Sequence, residues 1–271
     1  MTNPFGYGGK RVVVTGAATG VGAALIELLA ELDAEHVTVL DVKPPTGPHA
    51  TFLPTDLADP SAVDQAISSI DGEVHALFNN AGVADTMPPR TVIAVNYLAL
   101  RRLSEGLLER IPDGGAIVNT GSTAGSQWQS HLAELTEVLD LDDWEKTLDW
   151  IDARLPDLGV LPYFFSKELV QVYTMRSSRP TVRRGVRTNS VCPSPVDTPL
   201  LADFRATMTD KLIDWNVSET NGRLVTPREV AMVLAFLGSN AAAYVNGVNL
   251  LVDSGFTAAM ATGQVDFSGM S

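Results

Sequence analysis

Short β-branched, apolar runs alternate with helical patterns along almost all of this 271-residue chain, and that alternation restricts how its strands can pair. Arg11 to Thr15 reads as a strand and Val21 to Leu32 as a helix; His36 to Leu40 and Thr51 to Leu53 follow as strands. Pro60 to Ile70 reads as a helix, Val74 to Asn79 as a strand, Thr91 to Glu109 as a helix and Gly115 to Thr120 as a strand. Tyr163 to Arg176 is again helical, Val186 to Val191 a strand, Pro227 to Leu237 a helix and Val248 to Val252 the last strand. Strands separated in this way cannot join through hairpins, so the sheet is expected to be parallel with helices on both faces. The fold class is therefore α/β, a doubly wound parallel sheet of about seven strands, with residues 1–271 in a single domain.

One segment departs from the alternation. Between the fifth strand and the Tyr163 helix, residues 127–159 place Leu132, Leu135, Val138 and Leu139, then Trp144, Leu148 and Ile151, at helical spacing. Asp142, with Glu145 three residues on, resembles a helix start. The segment reads as an added helical pair, bordering either the substrate mouth or a subunit surface.

The first strand runs into Thr15-Gly16-Ala17-Ala18-Thr19-Gly20-Val21-Gly22, directly before a helix. Glycines in that context let backbone approach a pyrophosphate, whose charge is favoured at a helix N-terminus. Asp41 closes the second strand, beside Val42, where a carboxylate can accept both adenosine ribose hydroxyls and repel a 2'-phosphate. No Arg or Lys occupies Ala17 to Thr19, although Lys43 is close by. The reading is a dinucleotide site that favours NAD over NADP.

Tyr163 and Lys167 are spaced i, i+4 in the predicted helix, which sets a phenol and an ammonium on one face. A positive charge there is expected to lower the phenol's pKa and fit it to take a proton from an alcohol. Ser122 stands upstream on a Thr-Gly-Ser turn.

Composition narrows the partners. A net charge of -13 argues against nucleic acid and anionic membrane, both of which need a basic face. Arg176, Arg179, Arg183, Arg184 and Arg187 form the one basic cluster, read as capping a helix end and surfacing a loop. Met1 to Gly9 lacks a signal-like apolar stretch, and no run approaches the ~18 apolar residues of a membrane span, so a cytoplasmic protein is expected. Cys192 is the sole cysteine, read as a small buried residue, and His36, His49, His75 and His131 lack ligand spacing, so no metal is expected.

Taken in order, these motifs resemble the short-chain dehydrogenase/reductase family, with its Rossmann-type fold, over nearly the whole chain. The turn matches the family's Thr-Gly-x-x-x-Gly-x-Gly form. Asp56-Leu57 is similar to its adenine-contacting pair, and Asn79-Asn80-Ala81-Gly82 to the element that stabilises the sheet and lines the cofactor. Asn96, Ser122, Tyr163 and Lys167 match the catalytic positions. Asn189 and the segment from Pro193 to Thr198 resemble the stretch facing nicotinamide, with Val196 and Thr198 on the carboxamide positions; Ser194 stands where glycine is usual and Pro195 follows it.

The resemblance implies an NAD-dependent alcohol dehydrogenase and ketone reductase. Tyr163 would exchange the proton, Ser122 would hydrogen-bond the reacting oxygen, Lys167 would bind the nicotinamide ribose, and Asn96 would position Lys167 through water. The helical insertion, Thr198-Pro199-Leu200-Leu201 and Tyr244-Val245 are similar to bacterial 3α-hydroxysteroid dehydrogenase/carbonyl reductases. That likeness implies a bulky apolar substrate such as a hydroxysteroid, and a homo-oligomer that is a dimer rather than a tetramer. Phe204, Met208, Leu212 and Trp215 form either an apolar lid or part of the core. Two alternatives stay open: a dehydrogenase of smaller substrates, such as a sugar alcohol or acyl-chain ketone, and an NAD-binding regulator without catalysis.

Overall fold

A computed structural model describes residues 3–265. Seven strands form one sheet: β1 (Arg11–Thr15), β2 (His36–Asp41), β3 (Thr51–Pro54), β4 (Ala76–Asn79), β5 (Ala116–Thr120), β6 (Arg187–Pro193) and β7 (Asn249–Val252). Their spatial order is β3-β2-β1-β4-β5-β6-β7 and every ladder is parallel, as the alternation of elements requires. The order reverses between β1 and β4. A crevice opens there at the carboxyl ends of the strands, the place where open α/β sheets bind ligands.

The helices are α1 (Gly20–Glu31), α2 (Pro60–Ser69), α3 (Pro89–Ile93), α4 (Ala99–Gly106), α5 (Leu132–Leu139), α6 (Trp144–Leu158), α7 (Pro162–Ser177), α8 (Leu201–Met208), α9 (Asp210–Ser218), α10 (Pro227–Gly238) and α11 (Phe256–Ala261). On one face of the sheet, Leu25 and Leu29 of α1 and Val230 and Leu234 of α10 pack with Val12, Val14 and Phe78. The opposite face carries α2, α4 and α7.

The insertion is the expected helical pair. Its α5 and α6 bury Leu135, Val138, Leu139, Leu148, Ile151 and Leu155 against Phe165, Leu169, Val172 and Tyr173 of α7. Trp150 stacks on Phe165 with ring centres 5.8 Å apart. Because the sheet covers the other side, α7 is buried around most of its circumference, from Tyr163 through Thr174 with Phe164 the exception. Arg90 reaches across to Glu145, Asp149 and Asp152 and ties α6 to α3.

Three local expectations need correction. Asp143, not Asp142, caps α6, because its carboxylate reaches the Lys146 N–H at 2.8 Å, one residue nearer the helix. The single helix expected over Thr91 to Glu109 is interrupted by a π turn, Ala94–Leu98, which separates α3 from α4. Arg187 lies on β6, buried, and donates to the carbonyls of Leu237 and Ser239 at the end of α10 rather than surfacing a loop. The end of a buried helix needs donors for its free carbonyls, and this guanidinium supplies them.

Candidate active site

A cavity of about 1090 Å³ occupies the crevice. Gly16, Thr19, Gly20, Val21, Asp41, Val42, Asp56, Leu57, Asn80, Ala81, Gly82, Pro193, Ser194, Val196 and Thr198 line it, together with Ser122, Tyr163 and Lys167. Two residues expected at the site do not reach its wall. Gly22 lies beneath the turn, and Asn96 stands behind Gly82.

The glycine-rich turn is shaped by lack of room as much as by dihedral freedom. Gly16 has φ +68°, and a Cβ there would come within 2.6 Å of Ala81 Cα. At Gly22 a Cβ would fall 2.1 Å from the Gly16 carbonyl oxygen. Only hydrogen fits at either place. The close approach puts bare backbone at the start of α1, a cradle suited to a pyrophosphate.

Side chains lock the cradle from both sides. Thr15 Oγ1 accepts from the N–H groups of Asn80 and Ala81, both at 3.0 Å, and Asn80 Nδ2 donates to the Gly16 carbonyl at 3.0 Å. Asp41 accepts from the Ala18 N–H at 2.9 Å and from the Lys43 N–H at 3.1 Å. Its carboxylate therefore braces the turn as well as facing the cavity, with acceptor capacity remaining on each oxygen. No role for Thr15 is expected from the sequence alone; its position directly before the first glycine is the one signal there.

Asn96 sits in the π turn. Its amide pairs with both the N–H and the carbonyl of Val83, at 2.8 and 3.0 Å, and donates to Ser166 Oγ at 3.0 Å. Those bonds join the loop after β4 to α7. The π turn turns this one residue toward them, and such turns often occur at functional positions. Gly82 lies between Asn96 Oδ1 and Lys167 Nζ, within van der Waals reach of both.

Lys167 Nζ donates to the Thr120 carbonyl at 2.9 Å and stands 5.6 Å from the Tyr163 ring centre. Ser122 lines the cavity with Tyr163, and its side chain acts on the phenol in the direction that favours ionisation. Gln171, which the sequence reading missed, donates to the Ser122 carbonyl at 2.8 Å and fixes that loop on α7.

Electrostatics differ from the simple i, i+4 expectation. Burial pulls Lys167 down to about 8, and burial also raises Tyr163 above its ordinary range, with the Ser122 side chain opposing the rise. Neighbouring Asp85 pushes the phenol further up. Helical spacing does bring ammonium and phenol together, but desolvation dominates the shift of each group.

At the other end of the cavity, Phe204, Met208, Leu212 and Trp215 all contribute to the lining. The alternative left open between lid and core resolves as both: α8 and α9 cover the cavity, while Trp215 also packs edge-on against Phe256, ring centres 5.4 Å apart. Phe204 lies 4.7 Å from the Tyr163 ring. Met87, Phe164 and Met260 join this wall from positions that no periodicity connected.

A family model described as short chain dehydrogenase matches residues 10–134, and one described as Enoyl-(Acyl carrier protein) reductase matches residues 155–257. The chain is 32% identical to a coniferyl-alcohol dehydrogenase of Pseudomonas sp., covering 91% of this chain and 96% of that protein. It is 27% identical to the 3-alpha-hydroxysteroid dehydrogenase/carbonyl reductase of Comamonas testosteroni, covering 92% and 97%. Among solved structures, the 3-alpha-hydroxysteroid dehydrogenase of Pseudomonas sp. B-0831, complexed with NADH, superposes with a TM-score of 0.78 at 31% identity. That match covers 93% of this chain and 99% of the other. A further structural neighbour, from Beutenbergia cavernae and 25% identical, was solved with NADP.

Proposed function

Because this chain belongs to the short-chain dehydrogenase/reductase family, oxidoreductases of alcohols and ketones, we propose that it uses NAD(H) to interconvert a bulky, uncharged secondary alcohol and its ketone. The observation that carries the reading is the convergence of Tyr163, Ser122 and Lys167 on the wall of a cavity that also contains the glycine cradle. A nicotinamide dinucleotide bound there would supply the hydride acceptor or donor. Gly16, Thr19, Gly20 and Val21 would hold its phosphates, and Asp41 its adenosine ribose. Lys167 would bind the other ribose.

Tyr163 then removes the proton of the substrate hydroxyl during oxidation and returns it during reduction. Ser122 hydrogen-bonds the substrate oxygen as its charge changes. Asn96 holds the loop and α7 in register around Lys167. With Lys167 near 8, its charge responds to what binds beside it; an added negative charge would favour the ammonium and, through it, the phenolate.

Substrate chemistry follows from the wall. Among the described lining residues, Lys43 and Lys167 carry the positive charge, and neither belongs to the end built by Phe164, Phe204, Met208, Leu212 and Trp215. An anionic substrate would find no counter-ion in that group of side chains, whereas a ring system such as a hydroxysteroid would gain apolar contact with them. The negative charge of Asp41 supports NAD over NADP.

The helix pair also bears on assembly. Since α5 and α6 cover the outer face of α7, that face is unavailable to a second copy, and we favour a dimer joined elsewhere. Sedimentation at a dimer's mass agrees; a tetramer joined through α7 contradicts it. No helix among the described residues is long and apolar enough to cross a membrane. A cytoplasmic location stays part of this proposal.

Initial rates with NAD and NADP across steroid, cyclic, aryl and sugar alcohols test the proposal. Tyr163→Phe is expected to lower turnover by roughly 10³-fold while NADH titration still shows binding. Full activity in that variant sinks the assignment. Preference for NADP or for sugar alcohols sinks the finer claims alone.

A further inference from the structure

Asp85 lies in the loop leaving β4 and belongs to none of the motifs assigned above. Its Oδ1 accepts a hydrogen bond from the backbone N–H of Tyr163 at 2.8 Å. The bond falls in the first turn of α7, where helix N–H groups lack intrahelical partners and Pro162 has no N–H to offer. Its other oxygen, Oδ2, is buried without a hydrogen-bond partner. A carboxylate half committed to a helix start and half left dry is costly, and such groups ask for an explanation.

We propose that Asp85 is a positioning residue for Tyr163: it anchors that residue's backbone and sets a negative charge beside its phenol. The inference rests on Tyr163 being the proton-transferring group. The bond holds the reacting residue itself, so small movements of the loop after β4 reach the phenol directly. That same loop carries Asn80 to Val83, the segment between the cradle and Asn96, and so cofactor wall and reacting tyrosine share one support.

The charges around the phenol set the direction of the effect. Lys167 approaches from α7 and Asp85 from the β4 loop; the Cys192 thiol on β6, held neutral by burial, and Ser122 and Phe204 contribute uncharged groups. Arg90, close in sequence, is engaged by Glu145, Asp149 and Asp152. Burial raises Asp85 itself above the usual carboxylate range, and the Tyr163 N–H partly offsets this. When ionised, Asp85 opposes a second negative charge on Tyr163. Removing its charge makes the phenol easier to ionise, so the rising limb of alcohol oxidation moves to lower pH.

The test compares wild type with Asp85→Asn and Asp85→Ser, both of which retain an acceptor for the Tyr163 N–H. The pH dependence of kcat/KM is measured with NAD and the best alcohol of the panel. Tyrosinate absorbance is titrated in parallel with NAD bound, the Tyr163→Phe trace being subtracted. Both variants are expected to shift the limb and the titration downward by about half to one pH unit, with NAD affinity within twofold of wild type. An unchanged or upward shift in a folded variant overturns the proposal, and so does failure of both variants to fold, since the role is then purely structural. Activity surviving in Tyr163→Phe instead indicts the reading of the reaction, while the absorbance titration still decides whether Asp85 acts on Tyr163.

Discussion

The two ends of the cavity are built from different materials. At the cofactor end, backbone does the shaping: Gly16 and Gly22 leave no space for a methyl, and Thr15, Asn80 and Asp41 clamp main-chain groups. At the substrate end, side chains do it, with Phe204, Met208 and Trp215 projecting from two short helices. Backbone can be reshaped only by moving the fold, whereas a side-chain wall changes with each substitution. A dinucleotide end held constant and a substrate end free to vary follow from that difference.

Single substitutions can break or sharpen the contrast. The largest effect is expected from Gly22→Ala, whose methyl would meet the Gly16 carbonyl; it should cost about 1–3 kcal/mol in thermal unfolding and weaken NAD binding roughly tenfold for every substrate. Phe204→Ala should act on one arm only, lowering kcat/KM roughly tenfold for bulky ring alcohols and less for small ones. NAD affinity measured by fluorescence titration should stay put. Equal damage to cofactor binding in Phe204→Ala would dissolve the distinction between the two ends.

The same contrast decides what was legible in the sequence. Strand runs such as Arg11 to Thr15 and the glycine pattern after them are local signals, and the structure places both where periodicity and turn chemistry put them. The order of the motifs carried the family resemblance and, with it, the expected catalytic positions. Tertiary effects stayed hidden. Asp85 meets Tyr163 across a long stretch of chain, and no pattern near Asp85 announces it. The π turn at Asn96 answers to Val83 and Ser166, neither of them a helical neighbour. Helical spacing pairs Tyr163 with Lys167, but it carries no measure of burial, and burial sends the phenol's shift upward instead of down.

Helix α7 offers a last consequence. A catalytic helix with one wet side can drift there by neutral exchange; this one, enclosed by the sheet on one flank and the α5–α6 pair on the other, has almost no such side. Nearly every residue change along it is an interior change, felt at once by Tyr163 and Lys167. Variation should therefore collect on α8 and α9, leaving Tyr163 and Lys167 in an inherited casing while the cavity wall changes around them.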